Sequence, residues 1–488
     1  MDRNRISPPF CISASLALLL AGCVAAPDAG PKPELRSAQS VAAGQSLPAD
    51  SEALWPEDGW WRDLGDPQLT ALVEEGLEGS PDVAIAAARY RMARGMVLEA
   101  WGDLLPSLDV DGSAGVERRS LNIGFGEGIK QFLPRGWRET GEVTGNLELE
   151  LDIWGRNRAA LAAATSEAEA AQIEARQARL ILSTAIALSY FELARLFDEQ
   201  DVRSAALDIR TASEKLVGDR MKNGLETRGS LRQAQAEVAT ARSSLVAAQQ
   251  AVALRRNQIA AMLGAGPDRG LSIERPALRD DPPRGLPGDV TTELVGRRPD
   301  IAAARARAQA AASRIKVAHA DFFPAIRLGA LIGVQSQGLD RLFKSDSVFG
   351  SAGPAVSLPI FRGGELRGRY RYARGSYDEA VAEYERAVLD AYREVADIVT
   401  GQTLVGQRLV DARIALEASE EAYSIARLRY EGGLSSYLDV LAVEDRLLQA
   451  RLAVASLDAE ARALEIELIR ALGGGYGGDE FGKDRSNG

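Results

Sequence analysis

The sequence predicts a mainly α-helical protein with a β-barrel segment, built from two copies of one plan. Residues 157–217 contain neither Gly nor Pro, so a single helix there would run for roughly 90 Å. Just before this stretch, apolar and polar residues alternate strictly, which is typical of a β-strand with one wet face. Finally, Pro81-Asp82 recurs as Pro299-Asp300, 218 residues later, which indicates an internal duplication.

The first residues have the pattern of a bacterial secretory signal. Arg3 and Arg5 precede a largely apolar run, and small residues then lead to Cys23. The segment Leu20-Ala21-Gly22-Cys23 resembles the lipobox of bacterial lipoproteins. The resemblance implies that 1–22 is a signal peptide and that Cys23 receives a diacylglyceryl group and an N-terminal acyl chain such as palmitate. Val24 stands where inner-membrane lipoproteins usually have Asp, so sorting to the outer membrane is expected. An ordinary signal peptide with an incidental Cys is the alternative.

Composition argues against several kinds of partner and site. The formal net charge of −11 argues against nucleic acid as a partner. Cys11 lies in the expected signal, so the mature chain keeps only Cys23 and can form neither an internal disulfide nor a cysteine metal site. No metal is expected, and no cofactor other than the covalent lipid. No later apolar run reaches about 18 residues, so the chain is expected to cross a membrane only as a closed β-barrel.

The mature chain is expected to comprise a tether, two repeats and a tail. Residues 23–56 are rich in Ala, Gly, Pro and Ser and predict a lipidated tether. The first repeat, 57–270, is expected to contain an early helix (81–102), strands 107–117 and 142–154, a long helix 157–217 and a return helix 230–263. The second repeat, 271–473, is expected to contain helix 291–322, strands 325–335 and 351–361, helix 365–429 and return helix 434–472, followed by a flexible tail at 474–488.

The strands are long enough to cross a bilayer when tilted. Four strands cannot close a transmembrane barrel, since the smallest have about eight. Two chains would give eight strands around a filled interior, and three would give twelve around a lumen. Glu148, Glu150 and Asp152 would be costly to bury in a packed interior, so they predict a wet lumen and a homotrimer. Aromatic residues at the helix–strand junctions predict an interfacial girdle, with ordinary core packing as the alternative: Trp101, Trp154, Phe322, Phe323 and Phe361.

The return helices have a heptad pattern, which predicts coiled-coil packing. Their apolar positions include Ala234, Val238 and Val252 in the first copy, and Val443 and Leu447 in the second. Both return helices are much shorter than the long helices that precede them. We therefore expect the path back along each long helix to consist of two helices stacked end to end, 230–263 continued by 291–322, and 434–472 continued by 81–102. The breaks would form a belt at mid-height.

Two segments carry a family resemblance. The stretch from Trp60-Trp61 to Pro67-Gln68-Leu69, together with Ser80-Pro81-Asp82, resembles the start of TolC-like outer-membrane efflux lipoproteins of the NodT type. The stretch Arg429–Leu441 resembles the motif at the periplasmic tip of the same family. The resemblance implies a trimeric twelve-stranded barrel above a tunnel of long antiparallel helices, located in the outer membrane and extending into the periplasm. It also implies two protein partners, a periplasmic adaptor and an inner-membrane pump of the resistance-nodulation-division type.

The resemblance assigns roles to residues at the tip. Asp439 matches an acid that rings the closed aperture, where repulsion among three copies would raise its proton affinity; a helix N-terminal carboxylate is the alternative. Tyr430 matches a latch residue. Its usual partners are replaced by Ser435 and Ser230, so a different latch is expected, with Arg228, Arg232 or Arg427 as candidates. The expected adaptor-docking residues lie in the two turns: Lys222, Asn223, Gly224, Leu225, Gly432, Gly433 and Leu434.

The alternatives to an efflux channel are an enzyme, a periplasmic scaffold and a secretion duct. An enzyme is disfavoured, because the single His319 lies near a helix end and Gly124–Gly128 lies between strands, not between a strand and a helix. A periplasmic scaffold without a pore would explain the helices but not the strands. The exit duct of a type I secretion system remains the alternative within the channel class. The sequence does not indicate the transported substrate.

Overall fold

The computed structural model describes residues 30–37, 40–47, 53–120, 128, 132, 135–278 and 284–477. The predicted signal peptide, Cys23 and residues 478–488 of the predicted tail lie outside these ranges. The chain forms two compact units. The sheet unit contains Arg91–Glu169, Arg305–Ala382 and the chain up to Glu34. The helical unit contains Leu35–Tyr90, Ala170–Ala304 and the chain from Glu383 onward.

The two halves of the described chain have the same order of elements. The first half contains α1 (Pro67–Gly79), α2 (Pro81–Gly102), β1 (Ser107–Glu117), β2 (Arg138–Leu151), α3 (Arg156–Lys222) and α4 (Arg228–Met262). A short α5 (Asp268–Leu271) connects the halves. The second half contains α6 (Val290–Arg297), α7 (Pro299–Ala320), β3 (Ala325–Gln337), β4 (Val348–Ser357), α8 (Glu365–Glu431) and α9 (Tyr437–Ala471). Short 3₁₀ helices lie at Trp60–Arg62, Leu339–Arg341 and Ser345–Ser347.

The long helices and the return helices of the two halves have equal lengths, whereas α1 has 13 residues and α6 has 8. The long helices α3 and α8 have 67 residues each, and the return helices α4 and α9 have 35 each. Helix α8 is continuous through Gly401 and Gly406. At Gly401 the absent side chain admits Leu464, since a Cβ there would lie 3.1 Å from that side chain. Packing against α9 therefore outweighs the weak helix propensity of this glycine.

The four strands of the sheet unit form one antiparallel sheet in the order β1-β2-β3-β4. Glu148 is opposite Ser107 on β1, and Glu150 is opposite Arg327 on β3. With this register, the acidic residues of β2 share one face of the sheet, and Leu147, Leu149 and Leu151 share the other. The predicted alternation is therefore present, and the outer edges of β1 and β4 pair with no other strand in the described part of the chain.

Strand β3 extends two residues past its predicted end at 335, to Gln337, and two other strands are shifted from their predicted bounds. The prediction placed them at 142–154 and 351–361, whereas β2 spans Arg138–Leu151 and β4 spans Val348–Ser357. Asp152 ends β2 because its carboxylate accepts hydrogen bonds from the backbone N–H groups of Asn157 (3.0 Å) and Arg158 (2.9 Å) at the start of α3. Pro359 follows β4 closely and has no N–H to donate to a ladder.

The aromatic residues at the helix–strand junctions differ in their burial and contacts. Trp154 stacks on Phe323, with ring centroids 4.7 Å apart, and donates from Nε1 to the Pro324 carbonyl at 2.8 Å. Phe322 is buried and meets the Tyr370 ring edge-on at 6.3 Å, so it is a core residue and not part of an exposed girdle. Trp101 and Phe361 are exposed.

Two buried clusters form most of the core of the helical unit. The first gathers residues from α1, α3, α4 and α9, including Leu69, Ile186, Tyr190 and Ile259. This packing also explains the apolar content of α3. Among the described helices, α3 alone is long and apolar enough to span a membrane, but 61% of its 18-residue apolar stretch is buried inside the protein. The apolar stretch of α3 is therefore part of the protein core.

The predicted tether is partly a packed segment. In the helical unit, Leu47 is 2% exposed and belongs to the second buried cluster, which includes Val388 and Leu468. The Arg36 carbonyl there accepts a hydrogen bond from the Tyr384 hydroxyl at 3.2 Å. In the sheet unit, the Tyr377 hydroxyl donates to the Pro33 carbonyl at 3.0 Å. The described residues of the predicted tether therefore pack on the folded chain, because α8 side chains bind the carbonyl groups of Pro33 and Arg36.

The return helices end against junctions that differ from those predicted. The end of α4 packs on the α1/α2 junction, where a Cβ on Gly79 would lie 2.6 Å from the Leu263 carbonyl oxygen. The end of α9 packs on the α6/α7 junction, where buried Arg298 donates to the Ala471 carbonyl at 2.9 Å. Thus α2 continues α4 and α7 continues α9, the reverse of the predicted pairing. The predicted helix 291–322 is also broken at Arg298, because the residue before Pro299 is extended.

Candidate functional site

The two helical turns of the helical unit, here called the tip, have the same backbone design. Between α3 and α4, Gly224 has φ +74° and the Leu225 N–H donates to the Arg220 carbonyl at 2.9 Å. Between α8 and α9, Gly433 has φ +74° and the Leu434 N–H donates to the Arg429 carbonyl at 2.8 Å. Glycine suits these left-handed positions because it has no Cβ. The duplication therefore extends to the details of both reversals.

Asp439 caps the helix that follows the second turn. Its carboxylate accepts hydrogen bonds from the Ser436 backbone N–H and hydroxyl, both at 2.9 Å, while the Ser436 hydroxyl accepts from the Asp439 N–H at 3.3 Å. The hydrogen bonds from Ser436 lower the pKa of Asp439 from its ordinary value. Within one chain, this residue is the helix-terminal carboxylate of the alternative interpretation. It is also exposed, and its predicted role in a ring of three remains a prediction.

A hydrogen-bonded latch joins the two turns. The Tyr430 hydroxyl donates to Glu226 Oε2 at 3.1 Å. The other oxygen of Glu226 accepts from the Ser230 hydroxyl at 2.9 Å and the Thr227 N–H at 3.0 Å. Tyr430 is 2% exposed. Burial, together with the Glu226 carboxylate, raises the pKa of Tyr430 to about 12, so its hydroxyl stays protonated and able to donate.

A cation completes the latch from the first turn. Arg220 Nη1 donates to the Tyr430 carbonyl at 3.0 Å, and the guanidinium lies 4.7 Å from the centre of the Tyr430 ring. The sequence-based candidates for this role were wrong. Arg232 hydrogen-bonds to Gln235, and Arg427 pairs with Glu431 on its own helix.

The remaining predicted tip residues are placed as follows. Arg228 is the exposed first residue of α4, and its side chain is not part of the described latch. The Ser435 hydroxyl is buried and has no hydrogen-bond partner among the described residues. The predicted docking residues lie at the turn surface, and Leu225 and Leu434 are 65% and 74% exposed. Lys222 pairs with Asp219 at 3.0 Å. Apolar side chains are therefore accessible on both turns.

The three acids predicted to face a lumen do not behave alike. Glu148 and Glu150 lie on the polar face of β2 and share one cation, since Arg327 Nε is 3.6 Å from Glu148 and 3.4 Å from Glu150. Sequence analysis did not identify Arg327, although it alternates with the apolar residues of β3. Asp152 is outside the strand and caps α3, so its assignment as a strand acid is wrong. The polar face thus carries paired charges at its helix-proximal end.

Comparison with known proteins identifies the family. The model of the outer membrane efflux protein family matches residues 72–265 and 290–474, that is, both halves of the duplication. This chain belongs to the outer membrane efflux protein family. The efflux protein is 33% identical over 359 residues to the fusaric acid resistance protein FusA of Burkholderia cepacia, covering 72% of this chain and 67% of the relative.

Two further relatives cover more of the efflux protein. It is 30% identical over 478 residues to the multidrug resistance outer membrane protein MdtP of Escherichia coli K12, covering 96% of each chain. It is also similar to the crystal structure of the outer membrane protein VceC from Vibrio cholerae, with a TM-score of 0.79 and 41% identity over 86% of this chain and 100% of that chain. The similarity thus extends over nearly the whole chain, and the assignment to an efflux protein of the outer membrane rests on sequence and fold together.

A second polar cluster of the efflux protein lies in the helical unit on α3, α4 and α9. Arg210 on α3 forms ion pairs with Glu237 on α4 and with Glu444 and Asp445 on α9. Sequence analysis missed this cluster because the heptad pattern of α9 assigned the buried position to Val443. The structure buries the adjacent Glu444 instead. Among the described residues, no group of three or more potential ligands could hold a metal ion.

The duplication contains a signal for the latch that sequence analysis did not use. Arg220, Gly224 and Leu225 recur 209 residues later as Arg429, Gly433 and Leu434. At this offset, Glu226 corresponds to Ser435, and Ser230 corresponds to Asp439. Comparing the two turns position by position would have shown an acid in the first turn where the second has a serine. That acid is the partner of Tyr430.

Proposed function

We propose that this efflux protein is the outer-membrane exit channel of a tripartite efflux system, acting as a homotrimeric and passive conduit. The observation that carries the proposal is the sheet. It has four strands and two unpaired edges, and its apolar face includes exposed Leu108 and Val110. Unpaired strand edges and exposed apolar residues are unfavourable in a single soluble chain. Three copies would pair the edges into a twelve-stranded barrel, direct the apolar face to lipid and enclose the polar face.

The proposed conduit needs no chemistry of its own. Small amphiphilic organic compounds, such as drugs and toxic metabolites, would enter at the tip and diffuse outward through a wet lumen carrying Glu148 and Glu150. The names of the relatives, which refer to multidrug and fusaric acid resistance, support this class of substrate. The energy would come from a resistance-nodulation-division pump in the inner membrane. We therefore propose that the protein is a channel and not an enzyme.

The tip is proposed to be the gate. In the latched arrangement, Tyr430 and Arg220 hold the second turn against Glu226 of the first. Opening would separate these groups, and a periplasmic adaptor that binds the open arrangement more tightly would drive the separation. The exposed Leu225 and Leu434 are suitable apolar contacts for such an adaptor. Asp439 of three copies would ring the aperture and favour cations.

A lipid on Cys23 is proposed to anchor the protein in the outer membrane. The sequence motif supports this anchor, and contacts of the described residues 30–37 and 40–47 support its position, since the first of these ranges begins seven residues after Cys23. Hydrogen bonds from Tyr377 and Tyr384 to backbone carbonyls hold parts of the segment against α8. The lipid would thus precede a segment that hydrogen-bonds to α8.

The proposal is tested with detergent-extracted protein in two experiments. On unheated gels, a barrel-containing trimer is expected to migrate as a compact species that converts to monomer on heating. In planar bilayers, the purified protein is expected to conduct ions, and Asp439→Ala is expected to weaken blockade by multivalent cations. A protein that migrates as monomer without heating and does not conduct would contradict the proposal. Deleting the gene and testing drugs, dyes and metals would then identify the substrate.

A further inference from the structure

The Arg210 cluster joins three helices of the helical unit below the tip. The Arg210 side chain is 7% exposed, although guanidinium groups are strongly hydrated when free. Its Nε lies 3.1 Å from Glu444 Oε1, while its Nη atoms pair with Glu237 and Asp445. One buried cation therefore links α3 to α4 on one side and to α9 on the other. Removing it would leave α9 with two unpaired carboxylates.

The charges of the cluster do not balance. A single guanidinium faces three carboxylates, and only one of the three, Glu444, is fully enclosed, at 3% exposure. Neither oxygen of Glu444 accepts a hydrogen bond from a described residue, because the 3.1 Å ion pair with Arg210 is not aligned as one. A buried carboxylate without hydrogen-bond donors is costly in its charged form. Burial accordingly raises the pKa of Glu444 to about 7, against the attraction of Arg210.

The other groups facing Glu444 do not provide an alternative proton donor near neutral pH. Tyr437, on the same helix, has its pKa raised to about 12 by burial, and its hydroxyl also has no hydrogen-bond partner among the described residues. Tyr423 of α8 also has a raised pKa, because of burial and the Glu444 charge. Asp445 and Glu237 add negative charge and so favour the protonated form of Glu444. Glu444 is thus the group of this cluster that titrates near pH 7.

We propose that Arg210 and Glu444 are positioning residues of the gate, and that a proton on Glu444 stabilises the latched tip. The inference rests on the proposed channel function. In the latched arrangement, Glu444 is enclosed among α3, α4 and α9. When the tip helices separate, its carboxylate meets water, ionises and releases the proton. The cluster therefore links gate opening to periplasmic pH, independently of Tyr430 and Glu226.

The sign of this linkage follows from the two environments. Glu444 has a pKa of about 7 when enclosed, against an ordinary value of 4.5 that applies when it is exposed to water. Between these values the latched tip binds a proton that the open tip lacks. Lowering the pH through this range therefore favours the latched tip, by up to about tenfold per pH unit and per subunit. Above pH 7 the contribution disappears.

The test is a pH profile of single-channel opening in planar bilayers. We expect the open probability of the unmodified protein to fall as the pH on the tip side falls from about 7.5 to about 5.5. Glu444→Gln, which mimics the protonated form, is expected to remain at the low open probability across this range. The matched control is Glu417→Gln, which changes an exposed carboxylate of α8 and is expected to keep the profile of the unmodified protein.

A second variant separates positioning from mere packing. Arg210→Lys keeps the cation but cannot contact three carboxylates at once. It is expected to raise the open probability at every pH while keeping the dependence on pH. A Glu444→Gln channel with an unchanged pH profile would overturn the inference and leave the channel function intact. Absence of conductance at every pH in the unmodified protein would instead reject the channel function itself.

Discussion

Replacement of Tyr430 by Phe tests the latch with the smallest possible change. The substitution removes the hydroxyl that donates to Glu226 at 3.1 Å and leaves the ring, which keeps its place over the Arg220 guanidinium. Glu226 would still accept hydrogen bonds from Ser230 and Thr227, so it would not be stranded without donors. The expected effect is therefore the loss of one hydrogen bond to a charged acceptor and nothing larger.

The magnitude follows from that geometry. A hydrogen bond to a charged group contributes about 1.5–3 kcal/mol, and the lower end applies here because Glu226 is only half-buried and keeps its other donors. About 1.5 kcal/mol corresponds to roughly a tenfold shift of the latched–open equilibrium toward open in each subunit. Single-channel recording in planar bilayers measures this shift as an increase in open probability, at constant pH and salt.

The control for this experiment is Tyr372→Phe, because Tyr372 is another α8 tyrosine and is exposed. It is expected to leave the open probability unchanged. If Tyr430→Phe changed the open probability less than about twofold while folding normally, the hydrogen bond to Glu226 would not hold the gate, and the reasoning would fail. Deletion of the carboxylate in Glu226→Ala should then also be silent.

Three further predictions concern stability and anchoring. Gly264→Ala should lower the thermal unfolding temperature, since a Cβ would overlap the Gly79 carbonyl and Ala is strained at φ +74°, whereas Gly266→Ala, with open space around it, should not. Leu47→Ala should destabilise the protein by about 2–5 kcal/mol in denaturant unfolding, because Leu47 is buried in the core of the helical unit; an unchanged midpoint would show that the segment is loosely held. Cys23→Ser should abolish labelling with radioactive palmitate, and continued labelling would place the lipid elsewhere.

Local patterns in the sequence were sufficient to predict most of the fold. The 61 residues without Gly or Pro at 157–217 predicted a long helix, and α3 indeed continues through them from Arg156 to Lys222. Alternation of apolar and polar residues predicted strands, and the recurrence of Pro81-Asp82 as Pro299-Asp300 predicted an internal duplication. The pairing of the stacked helices was not predictable in this way. Residues 81–102 and 299–320 have similar patterns, and only the contacts of Leu263 and Ala471 decide which helix each one continues.

The site was only partly predictable, because two of its features contradict simple patterns. Asp152 extends the alternation of β2, but its carboxylate satisfies the N-terminal N–H groups of α3, which end the strand. Glu444 lies at a buried position that a search for apolar residues cannot select. Tyr430 could be assigned from the motif of the second turn. Its partner Glu226 required a comparison of both turns.

The latch exists because the two copies of the duplication have diverged. Their turns keep the same glycine and the same cap, yet Tyr430 corresponds to Met221, and Glu226 corresponds to Ser435. One half therefore supplies the phenol and the other supplies the carboxylate, so two copies of the first half, or two of the second, could not form this bond.

The two halves have also diverged at the Arg210 cluster. At the offset of 209 residues, Arg210 corresponds to Ser419, and Glu444 corresponds to Gln235. The Tyr430–Glu226 hydrogen bond and the Arg210 ion pairs thus use residues whose counterparts lack the necessary group, whereas Arg220 has the equivalent Arg429. The order of elements and the lengths of the long and return helices, by contrast, are shared by both halves. We infer that duplication built the scaffold, whereas control of the gate lies at the few positions where the halves differ, and these positions are the ones to vary when gating is dissected.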